Sequence, residues 1–136
     1  MKIMLICSAK FEDYETEYVE QLQNIGHQVL YTAGHGEPKL DGETWLDYGA
    51  RMMRKSLATI PTVDAVLCLN FDKDDRKNYI GGATFCEMAY AFEHNKKIFV
   101  LNDLPNDGIG GASIRFELEM FRPTVLGGDL LKLGGV

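Results

Sequence analysis

Asp64-Ala65-Val66-Leu67-Cys68-Leu69-Asn70 is a continuous apolar run between polar residues. A polar turn follows and ends in Tyr79-Ile80-Gly81-Gly82, then comes Ala83-Thr84-Phe85-Cys86-Glu87-Met88-Ala89-Tyr90-Ala91-Phe92, and finally Lys97-Ile98-Phe99-Val100-Leu101. Two short apolar runs flanking a segment with helical spacing describe a βαβ unit whose strands are buried on both faces. Within the helix the spacing turns Phe85, Met88, Ala89 and Phe92 toward the core and leaves Glu87 off the main buried face, near the helix start.

Outward from this unit the same alternation repeats. Lys2 to Cys7 reads as a first strand, Ser8 to Phe11 as a turn, Glu12 to Asn24 as a helix stopped by Gly26, and His27 to Tyr31 as a second strand. Acidic residues crowd the first half of that helix, where the helix dipole favours them. Residues 32–43 form a polar loop containing three glycines and a proline, long enough to be functional or a simple detour. Thr44 to Ala58 predicts a helix packing through Trp45, Tyr48, Met52 and Leu57. After Leu101, Asn102 to Gly111 is a second candidate functional loop, Ser113 to Phe121 a short helix, Pro123 to Leu126 a last strand, and Gly127 to Val136 an apolar, glycine-rich tail able to dock on something.

The predicted fold is therefore α/β: one doubly wound, mainly parallel five-stranded sheet, flavodoxin-like or Rossmann-like, with helices on both faces. With 136 residues one domain, 1–136, is expected. Ligands of such sheets sit at the carboxyl ends of the strands where strand order reverses. This gathers Ser8 to Phe11, Tyr31 to His35, Asn70 to Gly82 and Asn102 to Pro105 at one edge.

A net charge of −6 and dispersed basic residues argue against nucleic acid polymers, which need clustered Lys and Arg. No run approaches the roughly 20 apolar residues that span a bilayer, so no membrane is expected, and the first apolar run is too short for a signal-peptide core. Cys7, Cys68 and Cys86 are odd in number and lack CxxC spacing, which predicts buried free thiols in a reducing cytoplasm. His27, His35 and His94 are isolated, and neither a metal site nor a cofactor is expected. Neither GxGxxG nor GxxxxGK[ST] occurs.

The chemistry-bearing residues cluster around the central unit. Gly81-Gly82 before a helix either makes a turn or lets backbone N–H groups approach an anion. Thr84-Phe85-Cys86-Glu87 fits a T-x-x-E capping box, and Glu87 near a helix N-terminus is expected to stay ionised, which suits a nucleophile. Asp72, two residues past Asn70, is placed to aim across a cleft at Glu87, and two carboxylates can divide acid and base roles. Tyr79 serves core, lid or ligand stacking.

These residues carry a resemblance. The Ser-containing turn after the first strand, Gly26-His27-x-Val29, Asp64-Ala65-Val66-Leu67 and Gly81-Gly82-x-Thr84-x-x-Glu87-Met88-Ala89-x-Ala91 resemble the nucleoside 2-deoxyribosyltransferase-like superfamily. Asn70-Phe71-Asp72, Asn78-Tyr79-Ile80-Gly81-Gly82, Lys96-Lys97-Ile98 and Val125-Leu126-x-Gly128-Asp129-Leu130 resemble a small bacterial branch of it.

The resemblance implies cleavage or transfer at the N-glycosidic bond of a nucleoside or nucleoside 5-monophosphate. Glu87 would be the nucleophile and Asp72 the acid/base or sugar contact. Ser8, Lys10, Phe11, Asn70, Tyr79, Gly81, Gly82, Thr84 and Asn102 would surround the substrate, with Ser8 and Lys10 toward a phosphate. It also implies a homo-oligomer. The chain departs from the family pattern in carrying Gly81 where an acidic residue usually stands six positions before the glutamate, and Ala83 for the glycine of Gly-Thr. A non-catalytic nucleotide-binding module of the same fold is the competing expectation.

Overall fold

The computed structural model describes residues 1–106 and 113–134. Five parallel strands form one sheet: β1 (Lys2–Ile6), β2 (Gln28–Leu30), β3 (Ala65–Cys68), β4 (Lys97–Val100) and β5 (Thr124–Val125), in the order β2-β1-β3-β4-β5. The helices are α1 (Glu12–Asn24), α2 (Trp45–Thr59), α3 (Gly82–Glu93) and α4 (Arg115–Met120). The loop expected over Asn102 to Gly111 and the tail expected over Gly127 to Val136 each run partly outside the described residues.

Period-two alternation divides each strand between two cores. Ile3, Leu5, Leu67 and Phe99 face one way and join Val19 and Leu22 of α1. Met4, Ile6, Val66, Cys68, Ile98 and Val100 face the other and join Met88 and Ala91 of α3 and Leu118 of α4. Leu130 and Leu133, in a 3-10 turn near the chain end, dock on the α1 side. The part of the apolar tail that is described thus packs against its own sheet.

α1 ends where Gly26 takes a φ of +98°, a left-handed conformation that suits glycine, and the His27 N–H reaches back to the Leu22 carbonyl at 3.1 Å. At α2 a reciprocal capping box forms: Thr44 Oγ1 accepts the Asp47 N–H at 3.1 Å and Asp47 Oδ2 accepts the Thr44 N–H at 3.2 Å.

Two local expectations are overturned. The residue capping α3 is Gly81, with no side-chain cap, so Thr84 to Glu87 is not a capping box. The fully buried residues of α3 are Thr84, Glu87, Met88 and Ala91; of the predicted stripe Met88 is buried and Phe85 packs against the core, while Phe92 is exposed. The rotation of the buried face is set by how α3 packs on the sheet and α2, and the cap falls three residues earlier than expected, at Gly81. On α2 Trp45 is 72% exposed, and the one fully buried residue is Ser56.

Candidate active site

Strand order reverses between β1 and β3, because the chain winds left from β1 to β2 and right thereafter. A cleft of about 240 Å³ opens near this point, at the carboxyl ends of β1 and β2. Cys7 and Ala9 line it from the turn after β1, Glu12 from the first turn of α1, and Thr32, Ala33 and Gly34 from the loop after β2. Across from them stand Tyr48, Met52 and Ser56 of α2 with Ala83 and Glu87 of α3.

Glu87 is 8% exposed, and its Oε2 accepts a hydrogen bond from Ser56 Oγ. Burial pushes its carboxyl up to about 7, and the Ser56 hydrogen bond opposes the rise. The expectation that the helix N-terminus keeps Glu87 ionised is therefore corrected. Glu87 sits in the second turn of α3, beyond the strongest part of the dipole's reach, and desolvation prevails. Near neutral pH it exchanges between charged and neutral forms.

The wall formed by the long loop is held from both sides. Buried Glu15 of α1 accepts the Thr32 N–H at 2.8 Å and the Thr32 hydroxyl at 2.9 Å, and lies 3.2 Å from His35 Nδ1. Glu12 Oε1 accepts the Gly36 N–H at 2.7 Å. From α2, Lys55 Nζ donates to the Ala33 carbonyl at 3.1 Å and to Glu37 Oε1 at 2.7 Å, and Tyr48 Oη donates to the Glu37 carbonyl at 2.9 Å. Arg51 holds Glu43 through two bonds of 2.9 and 3.0 Å. Residues 32–43 are thus a braced wall of the cleft.

Of the residues singled out from sequence, only Glu87 lines the cleft. Asp72 is exposed and closes a small hairpin instead. Its Oδ1 accepts the Asn78 N–H at 3.0 Å and its Oδ2 the Lys77 ammonium at 3.0 Å, and these bonds hold its carboxyl below the usual range. That hairpin is pinned by paired backbone bonds of 2.9 Å between Lys73 and Arg76, and Asp72 is not among the residues lining the cleft.

Asn70, fully buried, is a structural clamp. Its amide donates to the Asp103 carbonyl at 2.9 Å and the Asn102 carbonyl at 3.2 Å, its Oδ1 accepts the Asn102 N–H at 2.9 Å, and Asn102 Nδ2 donates to its carbonyl at 3.0 Å. Asn102 belongs to the same clamp. Phe11 is buried in an aromatic group with Phe71 and Tyr79, their centroids 5.3 and 6.5 Å away. Ser8 Oγ accepts the Lys10 N–H at 3.3 Å and so caps a 3-10 turn over Ala9–Phe11, while the Lys10 side chain is exposed.

Gly81 and Gly82 form the start of α3, and Thr84 is buried one turn before Glu87. A Cβ at Gly81 would lie 3.0 Å from the Tyr79 hydroxyl. The Tyr79 ring, with Lys73 Nζ 4.3 Å from its centroid, fills the space a longer side chain at 81 would need. Glycine at this position accommodates that approach.

The loop after β2 was expected at this edge from the sequence, whereas Ser56 and Glu12 were not singled out and Tyr48 and Met52 were expected only to pack. Tyr48, Met52 and Ser56 recur at intervals of four, which places a hydroxyl in line with two packing side chains on one helix face. That spacing was the available signal. Cys7 lines the cleft and Cys68 is buried, and burial pushes both thiols up, with Glu87 adding to each. Cys86 is exposed, against the expectation of three buried thiols. Among the described residues no group of three or more His, Cys, Asp and Glu is placed to hold a metal, and no helix is long and apolar enough to cross a membrane.

No family model matches the sequence, and no curated protein matches it. Two solved structures share the fold. One is a 2-deoxyribosyltransferase from the psychrotolerant bacterium Bacillus psychrosaccharolyticus, 15% identical with a TM-score of 0.53, covering 74% of this chain and 72% of its own. The other is the Clostridium botulinum CMP N-glycosidase BcmB, 14% identical with a TM-score of 0.52, covering 92% of this chain and 84% of its own. At these identities what they establish is the shared α/β fold.

Proposed function

We propose that the protein cleaves or transfers at the N-glycosidic bond of a nucleoside or nucleoside 5-monophosphate, with Glu87 as nucleophile. The observation that carries this reading is a single buried carboxylate, one oxygen fixed by Ser56, lining a cleft at the switch point of the sheet. The names of the two structural neighbours, one a glycosyl transferase and one a nucleotide N-glycosidase, support the same bond as the target.

In the proposed reaction a carboxylate oxygen of Glu87 bonds to the anomeric carbon as the bond from that carbon to the base nitrogen breaks. The base leaves with the bonding pair and takes up a proton. Water then releases the sugar in a hydrolase, or a second base accepts it in a transferase. The attacking form is the ionised one, so base release should rise with pH through about 7.

Ser56 favours that ionised form, which makes Ser56→Ala informative. The variant should move the acidic limb of the kcat/KM profile to higher pH, with activity recovering toward wild type on the alkaline side. The direct assay is free base released from a panel of deoxynucleosides and their 5-monophosphates. No release by wild type, or a limb unmoved in Ser56→Ala, contradicts the assignment.

A specific observation favours a second reading, a binding module without turnover. Tyr79 occupies the space beside Gly81, where the family pattern has an acidic side chain, and Asp72 is tied into its hairpin. That module predicts thermal stabilisation by a nucleotide, equal binding by Glu87→Gln, and no base release.

The homo-oligomer and the reducing cytoplasm belong to the same proposal. Trp45 and Leu46 at the start of α2, 72% and 87% exposed, supply an apolar surface for a second copy, and three cysteines are free. Light scattering should give a mass of two or more chains, falling to one in Leu46→Glu; a wild-type monomer would contradict it.

A further inference from the structure

We propose that Gly49 determines the size of the base that the cleft admits, its missing side chain leaving room for the far edge of a two-ring base. The inference rests on the N-glycosidic reading for the kind of ligand and goes beyond it in naming the position that selects the ring.

Glycine in the interior of a helix needs a reason, because alanine there favours the folded state by a factor of roughly five. Gly49 lies inside α2, between the capping box at Thr44 and the helix end at Thr59. Three structural reasons commonly account for a glycine, and none applies. Gly49 is not among the positive-φ glycines, so no left-handed turn requires it. It does not terminate the helix. No other element presses on it, since a Cβ added at 49 would meet no atom of the described residues within 4 Å. Gly34, in the same cleft, differs: a Cβ there would lie 3.6 Å from the Tyr48 hydroxyl and 3.9 Å from Met52.

The open space at Gly49 is the cleft itself. Gly49, Met52, Met53 and Ser56 stand at positions i, i+3, i+4 and i+7 of α2, which is one helix face, and all four line the cleft. A side chain at 49 would project over the cleft beside the two thioethers. Ser56 marks the reacting end, because it holds Glu87, and Gly49 lies two turns from it, about 10 Å along the helix axis. Between them the α2 wall offers Met52 and Met53, whose polarisable sulfurs suit contact with an aromatic ring. Tyr48 adds its ring, its hydroxyl being committed to the Glu37 carbonyl. No charged side chain of α2 lines this stretch. A sugar held at Glu87 thus directs its base along α2, and the second ring of a purine is the part that reaches Gly49.

Calorimetric titration of the intact protein with deoxyadenosine and deoxycytidine, together with thermal unfolding, tests this in Gly49→Ala, Gly49→Leu and Ala50→Leu. Both substitutions at 49 should raise the melting temperature, by roughly 3 °C for Gly49→Ala. Gly49→Leu should weaken deoxyadenosine binding about tenfold or more and deoxycytidine binding less than about threefold, with Gly49→Ala between it and wild type. Ala50→Leu, at the next position and outside the cleft lining, should leave both affinities unchanged. Unchanged deoxyadenosine affinity in Gly49→Leu, equal losses for the two nucleosides, or a loss of binding accompanied by a lower melting temperature would overturn the proposal, as would a wild type that binds neither. Size selection without base release from either nucleoside upholds the inference and removes the N-glycosidic reading. Base release with the same selectivity in Gly49→Leu as in wild type keeps that reading and removes the inference.

Discussion

Glu87→Gln should abolish base release and at the same time make the protein more stable at pH 8. The carboxyl is raised by burial from 4.5 to about 7, so between these values the folded state holds a proton that the unfolded chain releases. The stability associated with neutral Glu87 is complete below about pH 4.5 and is lost as pH rises through about 7. Glutamine has the same shape, stays neutral at every pH and still offers Ser56 an acceptor. Its advantage should be on the order of 2–3 kcal/mol at pH 8 and close to zero near pH 4.5. Urea unfolding of both proteins at the two pH values measures it. Equal stability at pH 8 would mean that the carboxylate is not desolvated in the cleft, and the pH dependence proposed for catalysis would lose its basis.

A loss of roughly 3 kcal/mol or more is expected for Asn70→Ala, measured by the same unfolding experiment. Asn70 joins the ends of β3 and β4, satisfying the Asn102 N–H and the carbonyls of Asn102 and Asp103 at a position with no solvent access. Alanine would remove all of these bonds at once from the junction of the two strand ends. If Asn70 were instead a substrate contact, the variant would weaken binding with little effect on the unfolding midpoint. The two outcomes separate a clamp that shapes the sheet edge from a residue that reads the ligand.

The clamp also explains how the site is assembled. Glu87 is positioned by α3, which starts after the loop that Asn70 anchors, and Ser56 is positioned by α2, which is braced against residues 32–43. Ser56 is the one residue that α2 buries completely. The hydrogen bond between Ser56 and Glu87 is thus a polar link between two helices as well as a tuning of the carboxylate. This is why Ser56→Ala is read through the pH profile, which a purely structural role would not shift.

What was legible in the sequence was local in origin. Continuous apolar runs over Ile3 to Ile6, Ala65 to Cys68 and Ile98 to Val100, separated by segments with helical spacing, mark strands buried on both faces, so the parallel α/β sheet could be read from the sequence. Glu87 could be nominated by its motif. Its protonation could not, because desolvation depends on α2 closing over α3, a contact between residues 31 positions apart. The placements of Asp72, Asn70 and Phe11 away from the cleft were out of reach for the same reason. Proximity to a strand end says that a side chain is near the right edge, while only the packed structure decides whether it faces the cleft, a hairpin or the core. Ser56 and Glu12 entered the cleft through tertiary contacts alone, since burial and electrostatic field are properties of the whole arrangement of charges and apolar surface.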